Sequence, residues 1–363
     1  MATDTTPSPV DLLGTVPDEL AQALSAHFLA RGEPAYRVQQ VLHWIYRGDA
    51  VGVDGMTNLP EPERTALSEV FSLSEPEAQT VSTSSDGTVK HLWRLADGEL
   101  VESVLIPTDD RLTLCLSSQA GCALGCTFCA TGWAGFRRQL SAGEIVAQYR
   151  GAGRWARTHE MGTISNIVYM GMGEPLANAK AVHASLTILN QGYSVGARRI
   201  TVSTVGLVPG ILELAERPEQ FRLALSLHSP ESALRQELIP LEKRFPLSEV
   251  VQALEKFNRA GGKRITFEYV MIRGVNDDLL LAPKLADLAI SLHAFVNLIP
   301  FNPIPFQDWE PSTRERIAAF REMLEARGVA VAVRQPRGRD IDAACGQLRA
   351  TAMKDAAVSS ESG

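Results

Sequence analysis

Cys122, Cys126 and Cys129 stand in the run Gly-Cys-Ala-Leu-Gly-Cys-Thr-Phe-Cys. Three thiolates at CxxxCxxC spacing can hold three irons of a 4Fe-4S cluster and leave the fourth without a protein ligand. A cluster built for electron storage normally takes four cysteines. An open iron can instead bind a small molecule and hand it one electron, and Phe128 would set an apolar ring beside it. Zinc is the competing metal, because cysteines at short spacing suit it too. A structural zinc site wants four ligands, however, and no second cysteine pair exists in 363 residues. Three cysteines in a glycine-containing loop are also not the pattern of inert core thiols.

Two further cysteines stand apart. Cys115 lies inside the apolar run Leu-Thr-Leu-Cys-Leu, where a small buried hydrophobe and a reactive thiol are both open readings. Cys345 follows Arg-Gln-Pro-Arg-Gly-Arg-Asp-Ile-Asp and precedes Gly346. Neighbouring arginines favour the thiolate, so Cys345 is read as functional.

These residues need a scaffold. Residues 17–30, 34–47 and 60–72 read as helices, with Val38, Val41, Leu42 and Ile45 at helical spacing in the second. Between 78 and 106 apolar alternation flanks Asp86-Gly87 and Asp97-Gly98, both hairpin turn signals. From 111 onward, strand-like runs at 112–116, 167–170, 200–203, 223–227, 266–272, 295–300 and 329–333 alternate with helix-patterned segments. Such alternation predicts an α/β fold with a parallel sheet, and six or so units argue for a partial (β/α)6 barrel. The expected organisation is a disordered N-terminus over 1–14, a helical accessory domain over 15–75 and a β-hairpin linker over 76–110. The barrel with a C-terminal cysteine loop then covers 111–350, and a flexible tail 351–363.

In barrels of this type function gathers at the C-terminal ends of the strands. The three-cysteine loop follows the first parallel strand, and Gly173 and Glu174 follow the second. Ser203 ends the third, Ser226, Leu227 and His228 end the fourth, and Asn302 follows the sixth. Each alone could be a turn or a hydrogen-bonded loop residue. Their shared position on one rim points to a ligand site.

Composition narrows the class. At 45% hydrophobic the chain can bury one large core with a small appendage. It contains no apolar run long enough for a membrane span, and its start, Met-Ala-Thr-Asp-Thr-Thr-Pro-Ser-Pro, lacks a secretory pattern. Five cysteines, three of them assigned to metal, are not a secreted disulfide framework, so a cytoplasmic location is expected. A net charge of −7 argues against nucleic-acid binding taken alone. Cations nevertheless pair at Arg137–Arg138, Arg198–Arg199, Lys243–Arg244 and Lys263–Arg264, and gather at Arg334, Arg337, Arg339 and Arg349. They serve either as solvated surface or as phosphate contacts.

CxxxCxxC with an aromatic before the last cysteine resembles the signature of the radical S-adenosylmethionine (SAM) enzymes. Longer stretches carry a closer resemblance: Val-Glu-Ser-Val-Leu-Ile-Pro (101–107), the run 115–129, Met-Gly-Met-Gly-Glu-Pro-Leu (170–176), Ser-Leu-His (226–228), Asn-Leu-Ile-Pro-Phe-Asn-Pro (297–303), Asp-Ile-Asp-Ala-Ala-Cys-Gly-Gln-Leu (340–348), and 36–46 in the helical piece. Over about 15–350 the chain resembles the RlmN/Cfr family of radical-SAM RNA adenine methyltransferases, RlmN more than Cfr. The resemblance implies a radical-SAM type partial barrel holding one 4Fe-4S cluster on Cys122, Cys126 and Cys129. It implies two SAM molecules per turnover, bound by Gly173, Glu174, Ser203, Ser226, Leu227, His228 and Asn302. Cys345 would be methylated first and its methyl group activated by a SAM-derived radical. The carbon would then bridge to adenine, and Cys115 would attack the Cys345 sulfur to release the product through a transient disulfide. Glu102 matches the residue that removes the ring proton, with Cys115 the alternative. The implied partners are 23S rRNA at its peptidyl-transferase region, tRNA at the adenosine beside the anticodon, and an electron donor such as flavodoxin or ferredoxin, with no membrane. The implied product is methylated at carbon 2; a Cfr-like carbon-8 product and a non-enzymatic iron–sulfur RNA-binding protein are the alternatives.

Overall fold

In the computed structural model of the chain, residues 9–260 and 264–348 are described. The N-terminal piece comprises β1 (Val10–Asp11), α1 (Pro17–Ala30), α2 (Tyr36–Tyr46), α3 (Glu61–Val70) and β2 (Phe71–Ser72). Leu20, Leu24 and Phe28 recur one helical turn apart on α1 and pack with Val38, Val41 and Ile45 of α2. Within the segment expected to be disordered over 1–14, residues 10–13 are ordered. Val10 and Asp11 pair in parallel with Phe71 and Ser72, and Leu12 and Leu13 are buried in the helical core. Two leucines in water would forfeit about 2 kcal/mol each, which is reason enough for the segment to dock. Residues 1–8 and the tail 351–363 lie outside the described residues.

Next come β3 (Glu77–Thr83), β4 (Val89–Arg94) and β5 (Leu100–Thr108), turned at Asp86-Gly87 and Asp97-Gly98. The expected hairpin linker is thus a three-stranded meander, and it does more than connect: β5 pairs antiparallel with β6 (Arg111–Cys115) and so extends the main sheet. After β6 the chain forms β7 (Gln119–Gly121), α4 (Ala130–Trp133), β8 (Phe136–Gln139) and α5 (Ala142–Thr158). The remaining units are β9 (Asn166–Tyr169), α6 (Ala179–Thr187), β10 (Ile200–Thr204), α7 (Val208–Glu216), β11 (Arg222–Ser226), α8 (Ser232–Leu238) and α9 (Leu247–Arg259). They end with β12 (Ile265–Met271), α10 (Leu281–Ser291), β13 (Phe295–Pro300), α11 (Arg314–Glu325) and β14 (Val331–Val333). Among the described residues β6 and β9 to β14 run parallel in sequence order, and with the meander they make ten strands with β14 and β3 at the edges. This is the expected partial barrel.

The two faces of the parallel strands differ in chemistry. Leu114, Ile167, Tyr169, Val202, Leu223, Leu225, Phe267 and Leu298 belong to the large apolar core. Their alternates Thr113, Asn166, Thr201, Thr266, Glu268 and Asn297 line an internal cavity instead. Strand periodicity thus leaves a barrel whose lumen is open rather than filled, with these polar groups set among Val104, Ile106, Val168 and Ile299. The helical piece is fastened to this barrel from below. Ala142, Val146 and Ile188 complete its core, and Arg150 on α5 pairs with Glu75 at 2.6 Å while donating to the Ile45 and Ala50 carbonyls at 2.5 and 2.7 Å. The start of α5 is fixed by a capping box. Ser141 Oγ accepts from the Glu144 N–H, Glu144 accepts from the Ser141 N–H, and Arg138 holds Glu144 through both guanidinium nitrogens. Arg138 also pairs with Asp97, so this cation braces the fold.

Candidate active site

The loop between β7 and α4 carries Cys122, Cys126 and Cys129. Its entry turn depends on Gly121, whose φ is +77° and where an added Cβ would lie 1.9 Å from the Gly135 carbonyl oxygen. Cys122 N–H donates to that same carbonyl at 2.9 Å, which ties the loop to the start of β8. Cys129 then sits at the N-cap of α4. All three cysteines line one cavity of about 140 Å³ together with Phe128, Gly173, Glu174, Ser203, Ser226, His228 and Asn302. Burial pushes the Cys122 thiol up to about 12 and the Cys126 thiol well above its ordinary value, and the neighbouring cysteines add to both. A positive metal centre is what would turn these groups into thiolates. Three thiols on one loop match the donor number of a cluster with one open iron rather than the four ligands of a structural zinc site.

Opposite the loop, Glu174 is held by three hydrogen bonds. Its N–H donates to Gln119 Oε1 at 2.8 Å, and its carboxylate accepts from the Leu176 and Val205 N–H groups at 3.2 and 3.0 Å. Burial raises its pKa to about 7 against those bonds. Gly173 has φ +98° and leaves no room for a side chain, since a Cβ would meet Gln119 at 2.5 Å. Gln119, at the start of β7, is not among the site residues expected from sequence. Buried Arg235 fixes Val205 from behind through its carbonyl and is itself paired with Glu242.

His228 adopts φ +57°, an uncommon conformation that costs energy and calls for a reason. Its Nδ1 accepts from the Val270 N–H at 3.0 Å, which places the proton on Nε2. Nε2 is buried with no partner among the described residues. The ring packs edge-on against Phe128 at 4.3 Å, and burial lowers its pKa to about 3. An orphaned N–H donor, a buried carboxylate and three thiols around one cavity fit a cluster together with a polar small molecule. Ser203, Ser226 and Asn302 stand on the same wall as expected. Leu227 does not: it is fully buried in the apolar core, and its N–H is spent on the Glu268 carbonyl.

Cys345 is carried by a loop stitched across the strand ends. The Ala130 N–H donates to the Gly346 carbonyl at 2.7 Å, Asn302 Nδ2 to the Cys345 carbonyl at 3.2 Å, and Gln347 Nε2 to the Pro303 carbonyl at 3.0 Å. Arg339 holds Asn302 Oδ1 at 2.8 Å. Cys345 is exposed while Cys115 is buried. Both face a second, larger cavity of about 510 Å³, the lumen of the barrel. Burial pushes the Cys115 thiol up to about 12, with Cys345 adding to the effect and Arg334 opposing it. Arg334 is held above its ordinary value first by Cys345, then by Glu268 and Cys115. Of the basic residues singled out in sequence, Arg334 is therefore the electrostatic partner of the two sulfurs rather than solvated surface. Glu268, a carboxylate inside an apolar run, joins them; its Oε1 accepts from Asn297 at 2.9 Å and its Oε2 lies 3.8 Å from Arg334.

The two cavities share six residues: Met170, Glu268, Ile299, Asn302, Arg334 and Cys345. Cys345 thus stands in the wall between a three-cysteine chamber and the lumen. Glu102 lines neither. It is buried on β5 in an ion pair with Lys90 at 3.1 Å, and Lys90 reaches the Asp342 carbonyl at 3.3 Å, so the structure sets Glu102 behind the Cys345 loop.

Comparisons with known proteins agree with this arrangement. Residues 116–282 match the family described as the Radical SAM superfamily, and residues 12–73 match the ribosomal RNA large subunit methyltransferase N-terminal domain. A probable dual-specificity RNA methyltransferase RlmN 3 of Opitutus terrae is 47% identical, covering 94% of this chain and 95% of the relative. A probable dual-specificity RNA methyltransferase RlmN of Gemmatimonas aurantiaca is 50% identical over 93% of each chain. The crystal structure of a radical SAM methyltransferase from Sphaerobacter thermophilus superposes with a TM-score of 0.89 at 46% identity, covering 94% of this chain and all of that one.

Proposed function

The chain belongs to the RlmN family of radical-SAM RNA methyltransferases, and from that premise we propose that it methylates carbon 2 of a specific adenosine in 23S rRNA and of the adenosine beside the anticodon in tRNA. The observation that carries this reading is the position of Cys345 in the wall between two cavities, with three cysteines on one side and Cys115 on the other. When bound, the cluster and SAM supply one-electron chemistry that activates an otherwise inert C–H bond.

This chain's own residues divide the remaining work. Cys122, Cys126 and Cys129 hold the cluster. Glu174 and the His228 Nε2–H orient the polar ends of SAM, assisted by Gly173, Ser203, Ser226 and Asn302. Cys345 carries the methyl carbon on its sulfur and presents it to the lumen, while Arg334 steadies that sulfur. Once the carbon joins adenine, the Cys115 thiolate attacks the Cys345 sulfur. An S–S bond forms, the S–C bond breaks, the released carbon takes a proton, and an external thiol later reduces the disulfide. Cys115 faces the lumen, and Glu102 stands on the same face of β5 as Val104 and Ile106, so either of the two accepts the ring proton. Two SAM molecules per turnover and an electron donor of the flavodoxin or ferredoxin class complete the scheme, which suits a cytoplasmic enzyme; no helix among the described residues is long and apolar enough to cross a membrane.

The test is anaerobic reaction of the reconstituted enzyme with rRNA and tRNA fragments and labelled SAM, followed by mass spectrometry of the nucleosides. The expected product is 2-methyladenosine. Finding 8-methyladenosine would reassign the regiochemistry, and finding neither would overturn the reading.

A further inference from the structure

The lumen has a second end. Along β6, Arg111, Thr113 and Cys115 face it in succession, so the cavity runs from the cysteine pair to the N-terminal ends of the strands, about 13 Å away at four strand residues. There it is lined by Arg111, Arg222 and Arg264, the residues at or just before the starts of β6, β11 and β12, with Phe295 beside them. Arg111 and Arg264 are exposed and Arg222 is half-buried. Arg111 reaches its exposed neighbour Asp110 at 3.2 Å, and Arg264 lies 5.0 Å over the Phe295 ring. Arg222 has no carboxylate partner among the described residues. It is held below its ordinary value by burial and then by Arg264, Arg111 and Arg198, a cluster of like charges in which, among the described residues, only the exposed Asp110 supplies a paired carboxylate. Arginines in excess of their counterions at the mouth of a cavity call for an anion.

The three-cysteine chamber is assigned to the cluster and SAM in the reading above, and the Cys345 loop is stitched over it by the Ala130 and Asn302 hydrogen bonds. The lumen, at about 510 Å³, is within the usual range of ligand sites, roughly 300–1,000 Å³.

We propose that the target adenosine enters the lumen from the N-terminal end of the barrel, and that Arg111, Arg222 and Arg264 bind the phosphodiesters flanking it. The proposal rests on the RNA methyltransferase reading above. The flipped base reaches Cys345 through the lumen, while Arg264 on Phe295 gives the adjacent base a flat cationic surface to stack against. The pairs Arg137–Arg138 and Lys243–Arg244 are then not the main contacts.

The test uses anaerobically reconstituted enzyme and a transcribed 23S rRNA fragment covering the peptidyl-transferase region. R111Q/R222Q/R264Q should weaken RNA binding at least about 10-fold, flatten the slope of log K against log salt by about 0.7 per lost charge, and raise KM with kcat at saturating RNA little changed. Iron content should match that of the wild type. R111K/R222K/R264K should recover most of the binding, which a purely structural role for the guanidinium groups would not allow. R111Q/R264Q, confined to exposed positions, repeats the measurement should the triple variant misfold. Unchanged affinity and salt slope in these variants would overturn the proposal, as would loss of the slope in K243Q/R244Q instead. Binding is read separately from turnover, so a wild type that methylates nothing overturns the catalytic reading while the salt slope still decides the arginines.

Discussion

Cys122, Cys126 and Cys129 come from one short loop, whereas Cys115 and Cys345 meet from the first parallel strand and from a loop beyond the last. The first group lies within eight residues and is shaped mostly locally, by a left-handed glycine, a backbone hydrogen bond to Gly135 and a helix cap, with one distant tie from the Thr127 N–H to the Leu238 carbonyl at 3.1 Å. The second needs the completed barrel, because Asn302, Pro303 and Ala130 must all be in place before the Cys345 loop can dock. A metal-holding group can tolerate a mobile approach, since the metal itself gathers the ligands. In the proposed reaction Cys345 delivers one carbon to one ring atom, and there small misplacements cost large factors in rate.

The most severe way to break this contrast is to delete one member of each group. Cys126→Ala should lose both iron–sulfur absorbance and methylation. Cys345→Ala should lose methylation by roughly 10³-fold or more yet keep its iron. Loss of iron from Cys345→Ala would show that the two groups are not separable. Next in size, Cys115→Ala should leave the cluster intact and stall release, so that protein and RNA run together on a denaturing gel; free RNA alone would remove Cys115 from its role. Asn302→Ala sharpens the contrast from the scaffold side. It frees the Cys345 carbonyl and the Arg339 contact, and kcat should fall about 10- to 100-fold with iron content and RNA affinity unchanged.

The smallest effect lies away from both sulfur groups. His91 is fully buried against Trp93 and Trp155 with neither ring nitrogen bonded among the described residues. Burial, and secondarily His159, lowers its pKa from 6.5 to about 4. Below pH 6.5 the unfolded chain binds a proton that the native state refuses until about pH 4. Stability should therefore fall as pH drops through that window, by up to about 3 kcal/mol. Denaturant melts of His91→Phe should show a shallower pH slope there, with iron content unaffected.

The same contrast explains what could be read from sequence. The spacing of Cys122, Cys126 and Cys129 is a local statement, and the strand–helix period located the rim that holds Gly173, Glu174, Ser203, Ser226, His228 and Asn302. Leu227 turns its side chain into the core because a motif names neighbours while strand alternation decides which of them faces the cavity. Arg334 looked like one of several surface cations, and only the barrel brings it to Cys115 and Cys345. Glu268 and the cationic far end of the lumen were hidden for the same reason. Their residues are scattered along the sequence, and register alone gathers them.

The Gly346–Ala130 hydrogen bond and its companions give the order of synthesis a chemical meaning. A ribosome finishes the three-cysteine loop long before it reaches residue 345, so a nascent or prematurely released chain carries Cys122, Cys126 and Cys129 while the wall between the two cavities is still missing.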